Sequence, residues 1–306
     1  MNWAAACKID YNYGRMNLIM ETKKIVCDQC FGEERALYAV KNAEIRNCAF
    51  AGQEDGESAL KEASDLVIEN CDFHLRYPLW HADDVKMNDC RMTETCRAAL
   101  WYDNRVEIEN TSMGGIKALR ECRDISIKNS TAVSTEYGWF CKNINIDGFE
   151  LSGEYPFMHT EGMEVDNFRL KGKYSFQYVE NVTIRNSVLD TKDAFWHSKN
   201  VTVYDSEIKV EYLAWYSENL RLVRCKIIGT QPLCYCKGLI LEDCEMVNCD
   251  LSFENSDVQA TVKGHIDSIK NPVNGFITAD DIGEIIVDEY RWAGECAVTV
   301  GGKRVF

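Results

Sequence analysis

Along most of the chain the apolar and polar positions follow one short phrase: apolar, any, apolar, any, Asn or Asp, a small or aromatic residue, any, apolar. It reads Leu66-Val67-Ile68-Glu69-Asn70-Cys71-Asp72-Phe73, and again from Val85 to Met92 and from Val106 to Met113. With the Asn/Asp position as marker, copies fall at Asn47, Asn70, Asp89, Asn110, Asn129, Gly148, Asn167, Asn186, Asp205, Arg224 and Asp243. The intervals are 23, 19 and 21, and then 19 seven times in succession. Alternation of period two makes each copy a short strand with one face buried. No copy holds a helix-length periodic stretch.

A repeat of 19 residues accommodates about three strands of four or five residues joined by tight turns. The pattern therefore predicts an all-β chain wound as a single-stranded, right-handed parallel β-helix of about twelve coils. The hand follows from the preference of parallel crossovers. At about 4.8 Å per coil the rod is roughly 55–60 Å long. Residues 20–284 form the helix, 1–19 an extension outside the repeat, and 285–306 a cap hiding the last strand edge. Gly264 and Gly283 keep the 19-residue spacing after the phrase fades near Phe253. One vertical column, Ile68, Met87, Ile108, Ile127, Ile146, Val165, Ile184, Val203, Leu222 and Leu241, should be buried.

The register stacks the markers into a turn ladder, since Asn tolerates left-handed backbone. One position on come Cys48, Cys71, Cys90, Thr111, Ser130, Ser187, Ser206, Cys225 and Cys244, so much of the cysteine is packing material inside a turn. Fifteen cysteines, an odd number in a 306-residue chain with no export signal in view, fit reduced thiols in the cytoplasm. Neither Cys27/Cys30 nor Cys234/Cys236 makes a four-ligand zinc set, and no metal or cofactor is expected. A formal charge of −15 repels a polyphosphate backbone, which argues against nucleic acid. No run of 18 apolar residues is present to span a membrane.

Candidate chemistry gathers in two adjacent columns. Nine positions before the markers lie Tyr38, Lys61, Trp80, Trp101, Arg120, Trp139, Met158, Gln177, Trp196, Trp215 and Cys234. The next column holds Ala39, Glu62, His81, Tyr102, Glu121, Phe140, His159, Tyr178, His197, Tyr216 and Tyr235. Neighbours on a strand face opposite ways, so one column faces outward unless the chain bends between them. An outward stripe suits stacking of saccharide rings or of another extended ligand; the alternative is an aromatic stack filling the interior. The ligand site is placed on the coils between Asn70 and Asn167, with Trp80, His81, Arg97, Trp101, Arg120 and Trp139 as binding residues. Glu121, Glu94 and His159 are the acid/base candidates, with Glu136 and Asp193 on the same side. Asp83, Asp84 and Asp103 are the nearest approach to a calcium cluster. The other functional class left open is a non-catalytic scaffold or protein-interaction rod.

Several segments, among them FGEERALY (31–38), LRYPLWH (75–81), MTETCRAALWY (92–102), GKYSFQY (172–178), TKDAFWHSKNVTVYDS (191–206) and IGTQPLCYC (228–236), resemble a bacterial family catalogued only as a domain of unknown function. The resemblance covers the chain from about residue 20. It implies the right-handed, pectin-lyase-like β-helix, and it brings no activity and no catalytic residue. Analogy of fold alone points to polysaccharide lyases or glycosidases.

Overall fold

A computed structural model describes residues 23–53 and 56–306. The expected 1–19 extension lies outside these residues. Among the described residues there is no helix, and the chain is a right-handed parallel β-helix of about 14 turns. There are more turns than the marker phrase suggests because the stacking begins at Lys24–Cys27, before the first marker, and runs to Cys296–Val300 after the phrase has faded.

The register of the main ladder is the period of the sequence. Val106 pairs with Ile125, Ile125 with Ile144, and Ile144 with Met163. The column from Ile68 to Leu241 is buried throughout, no member exceeding 3% exposure. Inside, rings stack coil on coil: Phe50 on Phe73, Phe149 on Phe168, and Phe157, Phe176 and Phe195 in a run. The markers bend the chain as left-handed residues, with φ from 45° at Asn129 to 54° at Asp243 and 71° at Gly148. Pairing survives that bend in the long strands Arg123–Val133, Lys142–Glu154 and Glu161–Lys173.

The third side of the coil departs from the expected strand. Only Leu79–Trp80, Leu100–Trp101 and Leu119–Arg120 pair as a short parallel sheet. Beyond Trp139 that side becomes an arch in which every second residue is left-handed, as at Tyr155, Phe157 and His159. The hydrogen bonding reverses at the change. Leu79 and Leu100 N–H groups donate to Ala99 and Ala118 of the following coil, whereas Phe157, Phe176 and Phe195 donate back to Tyr137, Pro156 and Ser175.

Near the C-terminus the 19-residue spacing fails. Val258 pairs with Gly275 at a spacing of 17 and, after a register shift between Val262 and His265, His265 pairs with Asp281 at a spacing of 16. Gly264 and Gly283 are therefore not stacked as expected. Parallel pairing continues past residue 285 through Gly275 with Cys296, and the first antiparallel partner is Lys303–Arg304, which folds back on Cys296–Val300.

The fourteen described cysteines are all free, and twelve of them are buried. The turn thiols point inward onto backbone carbonyls; Cys71 Sγ, for example, lies 3.3 Å from the Glu69 oxygen. Burial pushes Cys96 and Cys236 up to about 11, away from thiolate chemistry. Thiol titration of the denatured chain should find nearly all fifteen cysteines. Among the described cysteines of the native protein, exposed Cys30 should react first and half-buried Cys27 more slowly. Recovery of only a few thiols after denaturation would contradict this packing role.

Candidate functional site

The two aromatic columns need not choose between inside and outside, because the chain bends between them. His81, Tyr102, Glu121, Phe140, His159, Tyr178, His197, Tyr216 and Tyr235 all have φ between 53° and 60°. A left-handed residue breaks the strand alternation, so it projects outward while the preceding residue also stays on the surface, half-buried, except before Tyr235, where Cys234 is enclosed. Both columns thus form one corner of the rod.

On that corner the rings stack along the rod. The outer run is Phe140, His159, Tyr178, His197, Tyr216 and Tyr235, with centroids 5.2, 4.7, 5.1, 5.1 and 4.9 Å apart. Planes deviate by at most 13°. His81 and Tyr102 form a shorter stack at 5.1 Å. In the inner column Trp80 stacks on Trp101 at 5.2 Å and Trp196 on Trp215 at 5.4 Å. The indoles of Trp139, Trp196 and Trp215 donate to the carbonyls of Tyr155, Tyr212 and Gln231, whereas the buried Trp80 Nε1 finds no acceptor among the described residues. Ring faces are therefore spent on one another, and solvent meets ring edges bearing imidazole nitrogens and phenol hydroxyls.

The residues singled out by sequence separate into groups. Trp80, His81 and Trp101 are contiguous, joined by Tyr77, whose ring lies 6.0 and 5.9 Å from the two indoles. Arg120 and Glu121 occupy the break between Tyr102 and Phe140. Arg120 Nε donates to Glu121 Oε1 at 3.1 Å, and its guanidinium lies 5.4 Å from the Trp139 ring and 5.6 Å from Phe140. Burial raises the Glu121 carboxyl, but hydrogen bonding from Tyr102 and Arg120 outweighs it and holds the group below the usual carboxylate range. Glu121 is thus an ionised acceptor, not a proton donor, at neutral pH. His159 lies two coils further along, sandwiched between Phe140 and Tyr178. Exposed Glu94 sits on another corner, where its backbone abuts Gly114 and Gly115, whereas exposed Arg97 adjoins the tryptophan group, its carbonyl accepting from Tyr77 N at 3.1 Å. The structure does not bring Glu94, Glu121 and His159 together.

The aspartates named for calcium are engaged otherwise. Arg105 bridges Asp83 and Asp84, and Asp103 faces inward, its Oδ1 accepting from Ala82 N at 2.7 Å. Among the described residues no cluster of His, Cys, Asp and Glu forms a metal-binding group. A depression of about 840 Å³ lies elsewhere, on the outer face of the main ladder from Asp65 to Asn181. No sequence feature pointed to it. Its polar groups pair across coils: Lys86 with Glu107 at 3.1 Å, and Asn143 Nδ2 donating to Asp124 Oδ1 at 2.8 Å.

The model of a family described as protein of unknown function matches residues 24–299. No curated protein matches the sequence. Among solved structures the chain is similar to the A-module of the mannuronan C-5 epimerase AlgE4 of Azotobacter vinelandii (TM-score 0.39, 8% identity, 78% of this chain and 89% of that one). It is also similar to the periplasmic alginate epimerase AlgG (0.38, 9%, 78% and 75%). A third is a hyperthermoactive exopolygalacturonase from Thermotoga maritima (0.30, 10%, 92% and 84%). Values this low assign neither substrate nor residue role to this chain.

Proposed function

The chain belongs to the DUF3737 family of proteins of unknown function, and from its own surface we propose that it binds an extended saccharide or glycoconjugate along the aromatic corner. The observation that carries this reading is the unbroken outer run from Phe140 to Tyr235, with rings 4.7 to 5.2 Å apart. That spacing is close to the length of one sugar unit in an extended chain. A glycan laid parallel to the rod would meet one imidazole or phenol edge per coil, each able to hydrogen-bond a sugar hydroxyl. The arrangement supports binding better than processing, since Glu121 is ionised and paired, His159 is stacked, and Glu94 is on another corner. The unpaired thiols support a reducing, cytoplasmic setting.

One observation also favours the scaffold reading: self-stacked rings complete a structural ladder without any ligand. The test is a panel of soluble oligosaccharides, followed by calorimetry and thermal shift. Variants are Trp101→Ala, Glu121→Gln and the double variant Tyr178→Phe/Tyr216→Phe. The double variant keeps both rings and removes two hydroxyl edges. It should weaken binding by about tenfold, two hydrogen bonds at roughly 0.5–1.5 kcal/mol each, with an unchanged melting temperature. If no glycan binds, or if every variant keeps the full response, the corner is structural and the scaffold reading replaces this one.

A further inference from the structure

Two breaks in the aromatic columns are filled by the chain's own cations. Lys61 precedes Trp80 in its column and places Nζ 3.8 Å from that ring; Arg120 precedes Trp139 and covers it likewise. A third break carries the opposite charge. On the flank of the corner Tyr155 stacks on Tyr174 at 4.7 Å, and the next coil supplies Asp193 where a ring would continue. Tyr212 follows one coil later. Backbone bonds fix this order: Tyr174 N donates to Lys192 O at 2.6 Å and Asp193 N to Glu211 O at 2.9 Å. Coil spacing sets the Tyr174 and Tyr212 backbones roughly 9.6 Å apart, with the Asp193 carboxylate in the coil between them.

Asp193 is only 7% exposed, and its carboxylate makes no hydrogen bond or ion pair among the described residues. Burial raises its pKa against the opposing pull of Lys192. Lys192 itself is committed to Glu211 at 3.1 Å, with its ammonium 5.4 Å from the Tyr212 ring. The chain's own ammonium thus already takes one wall of this break, and the Tyr174 face toward Asp193 carries neither ring nor cation. Two aromatic walls with an anionic floor form the chemistry that selects an organic cation.

We propose that the break between Tyr174 and Tyr212, floored by Asp193, binds a primary ammonium group, which under the saccharide reading above is the amine of an amino sugar. Three probes separate the possibilities by calorimetry on the full chain: a glucosamine hexamer, the N-acetylglucosamine hexamer, and spermidine. The glucosamine hexamer should bind about tenfold more tightly than its acetylated counterpart. Asp193→Asn should abolish that preference, and Lys192→Gln, an exposed change that frees the Tyr212 wall, should strengthen it. Equal binding of both hexamers, or a preference that survives Asp193→Asn, would overturn the ammonium site while leaving saccharide binding intact. Binding of spermidine alone, lost in Asp193→Asn, would support the site and overturn the saccharide reading. No binding by any probe overturns the ammonium site and leaves the saccharide reading to the oligosaccharide panel.

Discussion

Phe176→Ala is expected to destabilise the rod by about 3–5 kcal/mol, whereas Tyr178→Ala, two residues on, should cost about 1 kcal/mol. Both residues are left-handed, at φ 57° and 56°, and both sit in ring stacks, so backbone strain cancels from the comparison. What differs is the side they face. Phe176 is fully buried between Phe157 at 5.2 Å and Phe195 at 4.9 Å, with the edge of Phe168 beside it. Its removal leaves a cavity that two neighbouring coils cannot close without moving their ladders. Tyr178 is 43% exposed between His159 and His197, and loses only ring-stacking and partial burial. Urea unfolding of the two variants measures the difference directly. Equal losses would mean that the outer run, not the inner one, holds the arch together.

Asp103→Asn should stabilise the protein at neutral pH, with a gain that grows as pH rises. Asp103 occupies a buried column otherwise filled by Ala82, Cys122, Cys141 and Thr160. Burial pushes its pKa well above the ordinary value, although the Ala82 and Trp101 amides oppose this. A carboxyl with a raised folded pKa binds more protons folded than unfolded, so its contribution is fully present below the unfolded pKa near 4 and declines as pH rises toward the folded value. One linked proton gives a slope approaching 1.4 kcal/mol per pH unit in that window. Asn can retain the acceptor for Ala82 N without an ionisable proton, so the variant should lose that slope and match the native chain near pH 3. Urea midpoints from pH 3 to 8 test this. Parallel stability curves for the two proteins would show that Asp103 titrates normally.

The coil and its register are readable in the chain because a solenoid repeats one local decision many times. Equal intervals alone place Ile127 beside Ile108 and Ile146 beside Ile127, and the ladder pairs them so. The orientation of the corner is not readable. Whether Trp139 and Phe140 face opposite ways depends on one φ, and Phe, His and Tyr are not residues whose identity announces left-handed backbone. The arch after Trp139 is hidden for the same reason: Tyr155, Phe157 and His159 read as a strand by alternation and as alternating left-handed turns by conformation. Arg120 and Glu121 stand out in the sequence as charges interrupting an aromatic pattern. The structure gives that interruption a packing reason, a guanidinium over Trp139 and Phe140 tied to a carboxylate. The fading of the period near Phe253 also has a local cause: register shifts at Leu241/Cys244 and Val262/His265 accompany a spacing that falls to 17 and then 16 residues, which no spacing rule based on Gly264 and Gly283 captures.

The most direct test of the saccharide reading is the dependence of affinity on glycan length. In the outer run five rings carry polar edges, His159, Tyr178, His197, Tyr216 and Tyr235, one per coil. Calorimetric titration with a homologous series from two to eight units, using whichever sugar the panel selects, should show affinity climbing with each unit up to about five and then levelling. Affinity independent of length, or binding that survives when Tyr178 and Tyr216 are both changed to alanine in a protein that remains folded, would contradict the corner as the binding surface.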